Sequence, residues 1–106
     1  MIGSVGVIAS SRDGFTPLDL SNLALWVRSD LGITLNGSNV SSWADQSGNS
    51  RDLLQATAAS QPLFSANQVN GKPSIIFDGV DDLMQTAAFT LNRPTTMYTI
   101  FYQPTF

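Results

Sequence analysis

Turn-forming residues interrupt this chain too often to leave room for a long helix. Asn36-Gly37, the polar run Asp45–Arg51, Asn70-Gly71 and Asp78-Gly79 each combine a side chain that bonds its own backbone with a glycine that accepts positive φ. The segments between them are short, apolar and rich in β-branched and aromatic residues, the pattern of strands. Leu23–Arg28 (LALWVR) suits a buried strand, with a single helical turn as the other option. Ile33-Thr34-Leu35 and Val40–Trp43 flank Asn36-Gly37, a strong hairpin signal. Four residues separate those runs, which predicts a longer loop or a bulge.

Further along, Asp52–Gln55 resumes the chain, and Ala56–Ser60 is allowed at most one helical turn because Gln61 precedes Pro62 and is pushed away from helical geometry. Leu63-Phe64 and Asn67–Lys72 lead through Asn70-Gly71 into a strand over Ser74–Phe77, and Asp82–Thr86 begins another. Thr96–Tyr102 (TMYTIFY) is the richest in β-formers and apolar on both faces, which predicts a central strand covered on each side. Many short strands without βαβ alternation predict an all-β, antiparallel sandwich or barrel.

Composition bounds the chemistry. At 106 residues the chain is one domain, able to bury roughly two-thirds of its unfolded surface. No apolar run approaches the roughly 18 residues of a membrane helix. A net charge of −3 and five scattered basic residues offer no basic face for nucleic acid. There is no His, no Cys and no Glu, and all eight acids are Asp. That excludes disulfides, thiolate chemistry and a Ser-His-Asp arrangement. A two-carboxylate glycosidase would have to use Asp residues that mostly sit in turns, so the expectation is a non-enzyme. Near the start, Val5–Ala9 is apolar but follows no Lys or Arg and is shorter than an export signal's apolar core. Residues 1–20 therefore read as an extended arm, and 21–106 as the β-sandwich.

Three blocks together carry a resemblance. LALWVRSD (Leu23–Asp30), WADQSGNSRDLLQATAASQP (Trp43–Pro62) and NGKPSIIFDGVDDLM (Asn70–Met84) resemble, in order, the laminin-G-like branch of the concanavalin A-like lectin/glucanase superfamily. FTLNRPTTMYTIFYQP resembles the strand that follows. The resemblance implies a jelly-roll sandwich of two antiparallel sheets, of which this chain matches the N-terminal half, since such sandwiches often run to roughly 200–250 residues. Ser50 stands where the family commonly has a second Gly, so this position need not take positive φ. Catalysis in the family's glucanases relies on Glu, which this chain lacks. Half a jelly roll exposes strand edges and an apolar face, which predicts completion by a longer chain or by neighbouring subunits.

The candidate site residues follow from the turns. Asp45, Ser47 and Asn49 alternate as oxygen donors do in calcium loops, and Asp78, Asp81 and Asp82 offer further carboxylates; calcium is the one cofactor considered. Turn chemistry explains the same residues without an ion: Asp45 and Asp78 bond their own backbones, while Gly48 and Gly79, like Asn36 and Gly37, supply the reversal. Trp43 is the candidate for a sugar platform, although its strand context, like that of Trp26, favours a core position. Tyr98 and Tyr102 share a face and read as packing residues. The expected role is a non-enzymatic structural or adhesion module of a bacteriophage virion (tail, fibre, neck or capsid decoration). It would contact other virion subunits or copies of itself, dock through its N-terminal arm, and assemble in the host cytoplasm. The alternative is a carbohydrate-binding module, on a phage or at an extracellular bacterial surface, that recognises host-surface glycan. A third reading, part of a glycan hydrolase, requires residues from outside this chain.

Overall fold

The computed structural model describes residues 16–103. Regular structure among them is almost entirely β, five strands in one open antiparallel sheet with two single 3-10 turns. The strands are β1 (Ile33–Asn36), β2 (Asn39–Trp43), β3 (Leu53–Leu54), β4 (Leu63–Val69) and β5 (Lys72–Ile76). β2 organises the sheet. β1 runs along one of its edges, while β3 and β4 share the other, β3 at Ser42-Trp43 and β4 at Asn39. β4 then pairs with β5.

The two Asn-Gly sites fold differently. Asn70 and Gly71 both take positive φ, 52° and 73°, and Val69 pairs with Lys72 across them; this is the two-residue reversal whose twist matches that of strands. At the first site Asn36 stays in β1 and pairs with Asn39, so Gly37-Ser38 makes the turn. The expected irregularity lies inside the hairpin. Thr34 pairs with Ser42 and Leu35 with Val40, leaving Ser41 as an extra residue, a bulge on β2. Its hydroxyl donates to the Thr34 carbonyl at 3.1 Å. An inserted residue shifts the two-residue alternation by one. Val40 and Trp43, three apart, are consequently both buried.

The core holds Val27, Val40, Trp43, Ile75 and Met84, with Leu25, Ile33, Leu53 and Phe64 packed against it. It therefore draws on the sheet and on the segments before β1 and after β5. A 3-10 turn at Ala58–Ser60 ends at Gln61, as the following proline requires. Pro62 is fully buried, and its carbonyl accepts the Val40 N–H at 2.8 Å, tying β4 to the sheet.

Several expected strands differ. Leu23–Arg28 forms no ladder beyond a single Arg28–Leu31 bridge, and Asp82–Thr86 contributes one bridge, Leu54–Gln85. β5 stops at Ile76, leaving Phe77 exposed. Thr96–Tyr102 lies outside the sheet, with Met97, Tyr98, Phe101 and Tyr102 exposed rather than covered. The reason is common to all: β-propensity measures fit to a pleated, half-buried surface and is realised only where a neighbouring strand supplies the ladder. The second sheet of a sandwich is not among the described residues. Most of the expected N-terminal arm, residues 1–15, lies outside them too; its remainder contains a 3-10 turn at Pro17–Asp19.

Candidate functional site

The loop from Trp43 to Asp52 acts on the chain's own backbone. Asp45 is its hub. One carboxylate oxygen accepts the Trp26 N–H at 3.0 Å and the Ser47 N–H at 2.9 Å; the other accepts the Ser47 hydroxyl at 2.7 Å and the Arg51 N–H at 3.1 Å. The Asp45 N–H donates to Asp52 at 2.9 Å. Burial, the largest single influence, pushes the Asp45 carboxyl upward, but the donors from Trp26, Ser47 and Arg51 together outweigh it and hold the group below its ordinary value.

The rest of the loop grips the segment before β1. The Gln46 N–H donates to the Trp26 carbonyl at 2.6 Å. The Asn49 amide donates to the Leu23 and Ala24 carbonyls at 2.7 and 3.2 Å, and the Arg51 guanidinium to Ala24 at 2.6 Å. That guanidinium also lies 4.0 Å from the centroid of the Phe89 ring. The Trp43 indole N–H donates to the Arg28 carbonyl at 2.6 Å. Side chains thus satisfy backbone groups that a neighbouring strand would otherwise pair. This clamp holds Leu25 and Val27 against the core.

Two backbone positions shape the loop. Gly48 has φ of 91°, reached at no steric cost by glycine. Ser50 has φ of 56°, so the left-handed conformation is adopted here despite a side chain. The serine left positive φ optional at this position, and the position takes it: closing the loop so that the Arg51 N–H reaches Asp45 sets the backbone, and the residue conforms to it.

The second acidic loop is built on Asp78. Its Oδ1 accepts the N–H groups of Val80, Asp81 and Asp82 at 2.8, 3.2 and 3.3 Å, while Asp82 accepts the Asp78 N–H at 2.8 Å. The Val80 N–H is the main cause of a lowered Asp78 carboxyl, against a smaller opposing effect of desolvation. Gly79 takes φ of 77°. Carboxylate oxygens of Asp78, Asp81 and Asp82 lie within 4.8 Å of one another. Among the described residues, Asp45 belongs to no group of three or more acids close enough to share an ion. The calcium candidates therefore divide between two loops, with the Asp45 carboxylate accepting main-chain N–H groups and the Asn49 NH2 donating to main-chain carbonyls.

Trp43 is 4% exposed and offers no face to a sugar. Trp26 is half-buried, with Arg28 over its ring at 5.4 Å. Arg28 and Asp30 form a two-point ion pair at 2.9 and 2.8 Å, which raises the Arg28 and lowers the Asp30 pKa. Two shallow depressions, of about 340 and 400 Å³, lie beside Asp30–Ile33 and beside Leu54–Ala56. Asp30 is the one ionisable residue lining either. Sequence reasoning missed the reach of Asn49 and Arg51 to Leu23 and Ala24. The available signal was the concentration of donors and acceptors in a weakly charged chain; their target, some 25 residues upstream, carried none.

No protein-family model, curated protein or solved structure matches the chain. The laminin-G-like resemblance accordingly rests on its sequence blocks.

Proposed function

We propose that this chain is a non-enzymatic structural or adhesion module, a bacteriophage virion component whose sheet forms one layer of a concanavalin A-like jelly roll and works in contact with other subunits. The observation that carries this reading is the combination of a single open sheet with the exposed apolar strip Met97–Tyr102, because soluble monomers rarely leave large apolar patches uncovered. The residue inventory supports a non-catalytic role: of the Ser29 and Asp30 that line one depression, the Ser29 hydroxyl donates to the Pro73 carbonyl and Asp30 is paired with Arg28, and the Asp45 and Asp78 loops spend most of their polar groups on the backbone. The order of the three sequence blocks supports the jelly-roll assignment, and their frequency in phage virion proteins supports the location. Quantitative mass spectrometry of purified particles tests it. Peptides of this chain at a stoichiometry comparable with other particle subunits are expected, and their confinement to the particle-free soluble fraction would overturn the reading.

Glycan binding is the second reading. With Trp43 in the core, the exposed aromatic rings among the described residues are those of Phe77, Tyr98, Phe101 and Tyr102, and the two tyrosines add a hydroxyl that can hydrogen-bond a sugar. A glycan array probed with the chain and with Tyr98→Ala and Tyr102→Ala separates the two.

A further inference from the structure

Among the described residues, a segment without a ladder and a strand edge without a neighbour belong to the same chain. Thr96–Tyr102 contains no charge, glycine or proline, and Met97, Tyr98, Phe101 and Tyr102 are 80, 75, 79 and 64% exposed. Apart from the two-residue β3, which is bridged at Leu54 to Gln85, the described sheet has two outer strands, β1 and β5. β5 is guarded: Pro73 has no N–H to offer, and its carbonyl accepts the Ser29 hydroxyl at 2.9 Å. β1 is not. It carries neither proline nor lysine, the usual devices that blunt an edge, and Thr34, Leu35 and Asn36 are exposed. The hairpin's extra residue lies on β2, so β1 itself is uninterrupted.

We propose that Thr96–Tyr102 of one copy adds as a strand to β1 of a second copy, reciprocally, giving a closed two-fold dimer. This rests on the subunit-contact reading above and names the subunit as this same chain. The area is adequate. An aromatic side chain buries about 150–250 Å², so at the observed exposures the three aromatics and Met97 of two donor strands withdraw at most roughly 900–1,400 Å² from water. The receiving surfaces add to that, and a specific interface needs about 1,200–2,000 Å² in total. Neither strand carries a charge that the contact would have to desolvate.

The test is sedimentation of the 106-residue chain across the micromolar range, with a hydrophobic dye reporting strip exposure. A dimer is expected, and the double substitution Tyr98→Asp/Phe101→Asp should raise its dissociation constant about tenfold or more. Both positions are exposed, so circular dichroism should remain unchanged. Because the chain has no cysteine, Thr34→Cys and Thr99→Cys proteins mixed under mild oxidation should yield mainly the mixed disulfide. A monomer that binds dye through the strip overturns the dimer yet leaves the subunit-contact reading standing. A monomer whose strip is protected overturns both. Predominance of the Thr99→Cys homodimer overturns the assignment of β1 as the receiving edge.

Discussion

Replacing Asp45 with Ala removes a single acceptor group shared by the N–H groups of Trp26, Ser47 and Arg51 and the Ser47 hydroxyl. A hydrogen bond to a charged group contributes about 1.5–3 kcal/mol. The four are not independent, because they share one carboxylate, and water can reach the half-buried loop once the acceptor is gone. The Trp26 amide is the least replaceable, since it anchors a segment with no ladder of its own. A loss of about 2–4 kcal/mol follows, a large share of the roughly 5–15 kcal/mol that stabilises a typical domain. With a urea slope near 1 kcal/mol per molar, the low end of about 1–3 for small proteins, the midpoint should fall by about 2 M or more. Trp26 and Trp43 fluorescence reports the transition. Asp45→Asn keeps one acceptor oxygen and should cost about half as much. Asp81→Ala is the control: among the described residues its carboxylate accepts the Ser60 hydroxyl at 3.4 Å and no other donor, and it should stay within about 0.5 kcal/mol. An Asp45→Ala shift no larger than that control, at unchanged slope, would refute the clamp.

Three further outcomes are expected. Ser50→Gly relieves a left-handed backbone that costs a non-glycine residue about 1–2 kcal/mol, against an entropic cost to glycine of about 0.5–1 kcal/mol, so a net gain of about 0.5–1 kcal/mol should appear in urea melts; destabilisation would mean that the serine side chain contributes more than its backbone costs. Asp30, Asp45 and Asp78 all have lowered folded pKa values, so the stability they contribute is complete above the unfolded value of about 3.9 and is lost as pH falls through the folded values. Urea midpoints should therefore hold from neutrality to about pH 5 and drop below about pH 4, and a rise on acidification would contradict the sign. Since main-chain donors occupy Asp45 and Asp78, neither chelator nor excess calcium should move the melting temperature; a rise of several degrees with calcium would restore a metal site through linkage.

Local turn chemistry was legible in the sequence, and long-range pairing was not. Asn70-Gly71 encodes its turn in two residues that accept positive φ, and Pro62 ends the 3-10 turn by a steric rule acting on its neighbour. The bulge at Ser41 could be suspected from the spacing of the hairpin runs. Its consequence, Val40 and Trp43 together in the core, required the register. Leu23–Arg28 and Thr96–Tyr102 have the composition of strands, but a ladder depends on which segment lies alongside, and composition does not carry that information. The alternation of Asp45, Ser47 and Asn49 marked a polar loop while leaving its role open between a turn, a calcium loop and a sugar-binding loop. The structure supplies backbone groups of Leu23, Ala24 and Trp26 as partners. Ser50 shows the converse limit, because a loop's closure can impose a conformation that the residue type does not favour.

Hydrogen exchange at single-residue resolution tests the clamp most directly. The Trp26, Ser47 and Arg51 amides, although outside any ladder, should exchange as slowly as those of Val40 and Trp43, and should speed up together in Asp45→Ala, by more than the amides of β2. Wild-type exchange at these three amides as fast as in an exposed loop would show that the Trp43–Asp52 loop does not hold the preceding segment on the sheet.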